Sequence, residues 1–202
     1  MKTLLGPFIA FGLAAMGSSL KCEVCTGIGT NCSGNTMPCE ADEDVCVTTI
    51  AQNSVAGFLM QMVVKNCGSL DTCRYGPKYM NFGQGKIIQS SVSCCEGDAC
   101  QTEIPLMPPA NTEPNGNQCP ACYALSSTSC PDETVDCLGS EDHCLDMETR
   151  VTYGNVVLNS IQKGCVSKSV CDDLKIGDTE ITGGTASATI LKSECKPATI
   201  KS

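Results

Sequence analysis

The sequence has no tryptophan, a single histidine and an aromatic content of only 4% over 202 residues. Without large rings, buried aliphatic side chains would barely offset the conformational entropy of ordering such a chain, which argues against one large enzyme-like core. A histidine-dependent triad would rest wholly on His143, and neither a Gly-x-Ser-x-Gly elbow nor a nucleophilic-cysteine motif accompanies it. No histidine and carboxylate pair sits on a helical stretch, so calcium-dependent hydrolysis has no support either, and no catalysis is expected. Positive charge is scarce: 13 Lys and Arg stand against 22 Asp and Glu, for a net charge of -9. That balance disfavours nucleic acid and anionic membrane, both of which reward clustered cations, and leaves a basic protein open as partner. Long apolar runs are missing save one, Leu4 to Met16, about 13 residues broken by Pro7 against the roughly 20 that span a bilayer. With Lys2 before it and Gly17, Ser18 and Ser19 after it, this run reads as a signal peptide over residues 1–19. No hydrophobic tail follows Cys195, so a free, secreted product without a membrane anchor is expected.

What the chain has in excess is cysteine, 18 residues, a density that marks disulfide scaffolds of oxidising compartments. Counted as intervening residues, Cys22, Cys25, Cys32, Cys39, Cys46, Cys67, Cys73 and Cys94 are separated by two, six, six, six, twenty, five and twenty. Cys119, Cys122, Cys130, Cys137, Cys144, Cys165, Cys171 and Cys195 follow with two, seven, six, six, twenty, five and twenty-three, matching five of the seven intervals. This is an internal duplication. Cys95 and Cys100 complete the first half, so the halves hold ten and eight cysteines, and each can close its own bridges. We therefore read residues 20–101 as a first domain, 102–118 as an exposed linker rich in proline (Pro105, Pro108, Pro109, Pro114) with Asn115-Gly116, and 119–202 as a second domain. With Lys2 removed the net charge becomes -10, divided as -3, -2 and -5 over these segments.

The twenty-residue gaps are places for hairpins clamped at the base by cysteines. Leu145, Met147, Thr149 and Val151 alternate with Asp146, Glu148 and Arg150; Gly154-Asn155 offers a turn; Val156, Val157 and Leu158 resume a strand. In the first half Val45, Val47 and Thr49 alternate likewise, residues 53–57 can turn, and Met60, Met62 and Val64 return toward Cys67. Residues 86–93 and 186–193 are further strand candidates, and no stretch carries a long capped helical period.

The spacing, with Cys22-x-x-Cys25 at one end and Cys94-Cys95-Glu96-Gly97-Asp98-Ala99-Cys100 at the other, resembles the three-finger family of lymphocyte antigen 6 and the urokinase receptor. The fold class this implies is all-β, small and disulfide-rich, with two tandem three-finger (snake-toxin-like) domains. Spacing alone leaves on the order of a hundred pairings of eight cysteines open. The resemblance implies Cys22 with Cys46, Cys25 with Cys32, Cys39 with Cys67, Cys73 with Cys94 and Cys95 with Cys100; in the second half it implies Cys119 with Cys144, Cys122 with Cys130, Cys137 with Cys165 and Cys171 with Cys195. The terminal Cys-Cys pair is missing from the second half, and Gln101 stands where the family usually has Asn. Leu20-Lys21-Cys22-Glu23-Val24-Cys25, the junction Glu113-Pro114-Asn115-Gly116-Asn117-Gln118-Cys119-Pro120 and the ten-then-eight cysteine count are similar to the gamma-type phospholipase A2 inhibitors of reptile plasma. Sodefrin-precursor-like pheromone proteins share a similar plan. The resemblance implies a secreted, non-enzymatic binding protein that masks a secreted phospholipase A2, with no cofactor or metal and with homo- or hetero-oligomers in the family. The alternative is an extracellular signalling or pheromone-like ligand of another extracellular protein.

Candidate contact residues are Phe58, Leu59 and Met60, in the most apolar run outside the leader at the second finger of the first half, and Tyr153 at the matching turn of the second half. Burial against the neighbouring domain or another subunit is the competing reading of that run. Cys22-x-x-Cys25 and Cys119-x-x-Cys122 read as structural bridges rather than zinc half-sites, His143 as a solvated histidine, and Asp42-Glu43-Asp44 and Asp172-Asp173 as solvated turns. Leu106 to Pro109 read as a spacer, although a partner groove could accept such a segment. Asn31-Cys32-Ser33 fits an N-glycosylation acceptor whose middle residue the expected bridge to Cys25 would restrain.

Overall fold

A computed structural model describes residues 20–97, 103–126, 129–153, 155–174, 176–181 and 186–201. The expected leader, Gln101 and the Cys95–Cys100 pairing, through Cys100, lie outside the described residues. The first half forms β1 (Lys21–Ile28), β2 (Asn35–Pro38), β3 (Val45–Asn53), β4 (Met60–Gly68), a single helical turn α1 (Leu70–Cys73), β5 (Lys78–Asn81) and β6 (Ile87–Cys95). The second forms β7 (Pro114–Leu125), β8 (Glu133–Leu138), β9 (His143–Tyr153), β10 (Val156–Val166), α2 (Lys168–Asp173), β11 (Gly177–Ile181), β12 (Ala186–Pro197) and β13 (Thr199–Ile200). Each half is a blade of three hairpins with the same antiparallel order: β2-β1-β4-β3-β6-β5, then β8-β7-β10-β9-β12-β11. Valine, isoleucine and threonine make up most of β3, the residue types whose branched side chains suit a pleated surface.

Cystines hold the blade bases. Cys22–Cys46, Cys25–Cys32, Cys39–Cys67 and Cys73–Cys94 close the first, and Cys119–Cys144, Cys122–Cys130, Cys137–Cys165 and Cys171–Cys195 the second. In each blade two bridges lie against one another: Cys22 Sγ is 3.3 Å from Cys39 Sγ, and Cys119 Sγ is 3.6 Å from Cys137 Sγ. These sulfurs are buried and form two small cores of their own.

The principal apolar core lies between the blades. Phe82, just past β5, is buried with Leu145, Met147, Val166 and Val170 of the second blade, and its ring lies 5.5 Å from that of Tyr123. There β10 releases β7 after Lys163 and pairs instead with β5, through Cys165 opposite Asn81 and Val166 opposite Met80. Gly164 permits the approach: a Cβ at that position would lie 2.1 Å from the Asn81 carbonyl oxygen and 3.0 Å from Phe82 Cα. Tyr79 N–H donates to Ser167 Oγ (3.1 Å), Ser167 N–H to the Tyr79 carbonyl (3.0 Å) and Gln84 Nε2 to Glu133 Oε2 (2.7 Å), while Lys78 pairs with Asp173. Because β5 runs from base to turn and β10 from turn to base, their antiparallel pairing points both sets of hairpin turns the same way.

The structure differs from the sequence reading at the junction. The composition of residues 114–118 reads as linker, yet β7 begins at Pro114, and the Asn115-Gly116 step is a bulge against β8 rather than a hairpin turn. Gly116 has a φ of +83°, and Asn115 Nδ2 donates to the carbonyls of Gly139 and Glu141, which recruits the segment into the sheet. Strands β6 and β12 run on to Cys95 and Pro197, past the expected 93 and 193.

Replacing Gly164 by Ala places a methyl group against the Asn81 carbonyl. The variant is expected to form all its cystines yet lose about 1–3 kcal/mol from the inter-blade joint. Faster proteolysis between residues 97 and 114, with unchanged cystine mapping, would report it.

Candidate binding surface

The turn after β3 is built from polar contacts that leave its apolar residues free. Ser54 Oγ donates to the Gly85 carbonyl at 2.6 Å and accepts the Ile87 N–H at 2.9 Å, tying this turn to the one between β5 and β6. Gly57 N–H donates to the Ser54 carbonyl, and Gly57 takes a φ of +84°. Val55 turns inward and packs on the inter-blade core, whereas Phe58 and Leu59 are 62% and 68% exposed. Met60 opens β4 and is half-buried. A cleft of about 480 Å³ lies between Phe58 and Leu59 on one side and Gln84, Gly85 and Lys86 on the other. No charged residue occurs from Val45 to Val64, so the finger carries shape and apolar area rather than charge.

Tyr153 ends β9 with its Cα opposite those of Val156 and Ala186. It does not lie beside Phe58 in the register: the two turns belong to different blades. Val156 and Val157, which begin the returning strand, are 54% and 53% exposed, and Leu158 and Leu125 are exposed as well. The sequence marks residues 156–158 only as strand. Exposure of Leu125 has no linear signal at all, because it depends on β7 ending beside β10.

Charge is engaged at the blade bases. Burial pushes the Asp146 carboxyl up, but hydrogen bonds from Lys192 and Lys163, each with its ion pair at 3.0 Å, outweigh this and hold it below its usual range. Lys65, 2.7 Å from Glu23 Oε2, together with the Gly34 N–H, lowers Glu23. Glu43 accepts the Glu40 N–H and Asp44 accepts the Leu70 N–H, so this acidic run supports its own turn; Asp172 and Asp173 pair with Lys168 and Lys78. The expectation of a solvated His143 at a strand edge is corrected. This residue begins a strand flanked on both sides, is half-buried and lies 2.8 Å from Asp142 Oδ1, which also accepts the Lys168 N–H. Sulfur triplets at Cys22, Cys39, Cys67 and at Cys119, Cys137, Cys165 have metal-like spacing, but all six are in cystines and present no thiolate. Asn31 is exposed, with its Oδ1 accepting the Cys32 N–H. Leu106 is exposed, and the adjoining segment is tied to the first blade by Tyr79 OH donating to the Pro109 carbonyl at 3.3 Å.

Comparison with known proteins gives this geometry its relatives. Residues 20–102 match the family model described as phospholipase A2 inhibitor, and residues 115–197 match the u-PAR/Ly-6 domain. The phospholipase A2 inhibitor NAI of Notechis ater is 33% identical over 172 residues, covering 85% of this chain and 86% of its own. The chain belongs to the phospholipase A2 inhibitor family. Two phospholipase A2 inhibitors of the gamma type agree: that of Laticauda semifasciata is 33% identical over 75% of this chain and 84% of its own, and that of Elaphe climacophora 34% over 83% and 82%. Mouse TEX101, a solved structure, covers 90% of this chain and 99% of its own at 17% identity and a TM-score of 0.35, a likeness too low to carry an argument. As a member of the inhibitor family, the protein is mostly strand with two three-finger regions.

In this inhibitor-family chain the joint holding the two regions contains one strongly perturbed acid. Glu141 is 2% exposed; it accepts the Leu138 N–H at 2.9 Å and is hydrogen-bonded to the Asn81 side chain of the other blade. Burial pushes its carboxyl up to about 7, against which those hydrogen bonds pull only partly. A raised folded-state value means that the folded chain holds the proton more tightly than the unfolded one. This contribution to stability is therefore complete below about pH 4.5 and is lost as pH rises through about 7. Glu141→Gln keeps an acceptor and cannot ionise. Urea unfolding is expected to show the variant within about 1 kcal/mol of wild type at pH 4.5 and on the order of 2–3 kcal/mol more stable at pH 8. An equal difference at both pH values would contradict the assignment.

Proposed function

We propose that the protein is a secreted, non-enzymatic inhibitor of a secreted phospholipase A2 that acts by covering the enzyme's lipid-facing surface. The reading takes residues 1–19 as a leader, 20–101 and 119–202 as the two binding domains and 102–118 as their connection. It rests on one observation above all: a member of the phospholipase A2 inhibitor family holds Phe58 and Leu59 out to solvent on a finger without charge, while Val55 anchors that finger to the inter-blade core. Exposed apolar side chains grouped on a supported turn are the kind of surface that marks a protein interaction site. Phe58, Leu59, Met60 and Tyr153 are the contact residues of this reading. The acidic balance of the chain favours a cationic enzyme as partner, since opposite net charge steers approach. No helix among the described residues is long and apolar enough to cross a membrane.

Purified protein mixed with basic secreted phospholipases A2 on phosphatidylcholine vesicles is expected to slow hydrolysis at micromolar excess, and no slowing would remove the reading. Phe58→Ser with Leu59→Ser is expected to weaken inhibition roughly tenfold with secretion unchanged. The association rate should fall as salt rises from about 0.05 to 0.5 M, as expected for steering between opposite charges.

A further inference from the structure

Residues directly opposite across a ladder share a face, and alternate residues along a strand do too, so the register of the second blade sorts its side chains without ambiguity. One face carries Leu145, Met147, Thr149 and Val151 of β9 with Gln162, Ser160, Leu158 and Val156 of β10, and, beyond them, Tyr123 and Leu125 of β7 and Ala188 and Ile190 of β12. The bulge between Ile190 and Lys192 keeps Ile190 on this face and turns Lys192 to the other. The other face holds Asp146, Glu148 and Arg150 with Lys163, Asn159 and Val157, and the Asp146–Lys163–Lys192 ion pairs. One side is therefore without charge and largely apolar, and the other carries the charges.

Phe82 of the first blade covers the lower part of the uncharged face, over Leu145, Met147 and Tyr123. Among the described residues the upper part has no such cover. Above Met147, Thr149 Oγ1 and Ser160 Oγ are 2.6 Å apart and Gln162 Nε2 donates to Ser160 Oγ at 3.0 Å, so these polar groups satisfy one another. Val151, Leu158, Val156, Leu125 and Ala188 then continue the face to the turn, with Leu125, Val156 and Leu158 exposed. The open stretch continues an established interface in the same chemistry.

We infer that this upper face of the second blade, centred on Val156, Leu158 and Leu125, is a docking surface for the apolar, lipid-contacting surface of a cationic phospholipase A2. The inference rests on the function proposed above and adds a sheet face of the second blade to the contacts assigned there to the Phe58 finger and Tyr153. Its one-sidedness favours a protein over a lipid bilayer: a hairpin immersed in lipid meets apolar medium on both faces, whereas here Arg150 and Asn159 occupy the rear. Its charge favours a cationic protein over a second copy, because two chains each near -10 after loss of Lys2 repel as they approach.

The test uses the full mature chain and one basic secreted phospholipase A2, with affinity measured by titration calorimetry in lipid-free buffer. Val156→Ser with Leu158→Ser alters the uncharged face; Val157→Ser alters an equally exposed neighbour on the charged face. Cystine mapping and thermal melts of both variants should match wild type, since all three side chains are exposed. The double variant is expected to bind roughly tenfold more weakly, and Val157→Ser within about twofold of wild type. Wild-type binding that the double variant preserves, or that both variants reduce equally, overturns the surface while leaving the inhibitor reading in place. Loss confined to phosphatidylcholine vesicle binding, or to self-association on gel filtration, overturns the choice of partner. A wild-type chain with no affinity for the enzyme overturns both.

Discussion

Covalent closure at the base of each blade is the constraint on which the other features depend. The Cys22–Cys46 and Cys39–Cys67 bridges lie in contact, as do Cys119–Cys144 and Cys137–Cys165, and these sulfurs occupy positions where a larger domain would place leucine and phenylalanine. A bridge closing a loop of 24 to 28 residues removes on the order of 3 kcal/mol of unfolded-chain entropy, although overlapping loops do not contribute independently. With stability drawn from the base, the finger ends need not bury their apolar residues. Phe58, Leu59, Val156 and Leu158 can stay in solvent, where a chain with so few aromatics and no covalent framework would need them inside.

The second constraint is the joint. Two small blades attached by a flexible segment would present two independent surfaces and lose affinity to the entropy of ordering them. Here β5 enters the sheet of the second blade, Phe82 enters its core, and the missing side chain at Gly164 lets the two backbones meet. Both sets of turns then point the same way, so one partner can meet residues of either blade without a rearrangement. Glu141 and Asn81 sit inside this joint as a buried polar pair, and burial there pushes the Glu141 carboxyl up.

Some of this was legible in the amino-acid sequence and some was not, for physical reasons. Cysteine intervals survive in one dimension because each bridge constrains a loop length, so the duplication stands out directly, and the alternation from Leu145 to Val151 marks β9 because a half-buried strand has a period of two. The joint leaves almost no trace. Strand β5 is only four residues long and pairs with a strand more than 80 positions away, too short for any periodicity to show. Phe82-Gly83 and the lone glycine before Cys165 are its only marks, and both read as ordinary punctuation. The junction misleads for a related reason: Asn115-Gly116 has turn chemistry, but a φ of +83° at Gly116 serves a bulge equally well, and β8 is at hand to pair with it. The surface of Leu125, Leu158 and Val156 cannot be assembled from sequence at all, since it exists only through the register of three strands.

That register also explains why one chemistry serves two purposes. Along β9 the covering of the uncharged face changes partway, from Phe82 below to solvent above Thr149. Little in the residues themselves marks the boundary: Met147 and Val151 are both apolar, and the hydroxyls of Thr149 and Ser160 between them bond to each other. The first blade ends there because its own hairpins are shorter, β5 and β6 turning at Gly83 while β9 and β10 run on to Tyr153. The contact that fastens the two blades and the surface proposed for a partner are therefore two stretches of a single face, and the shorter reach of the first blade decides how much of it stays open.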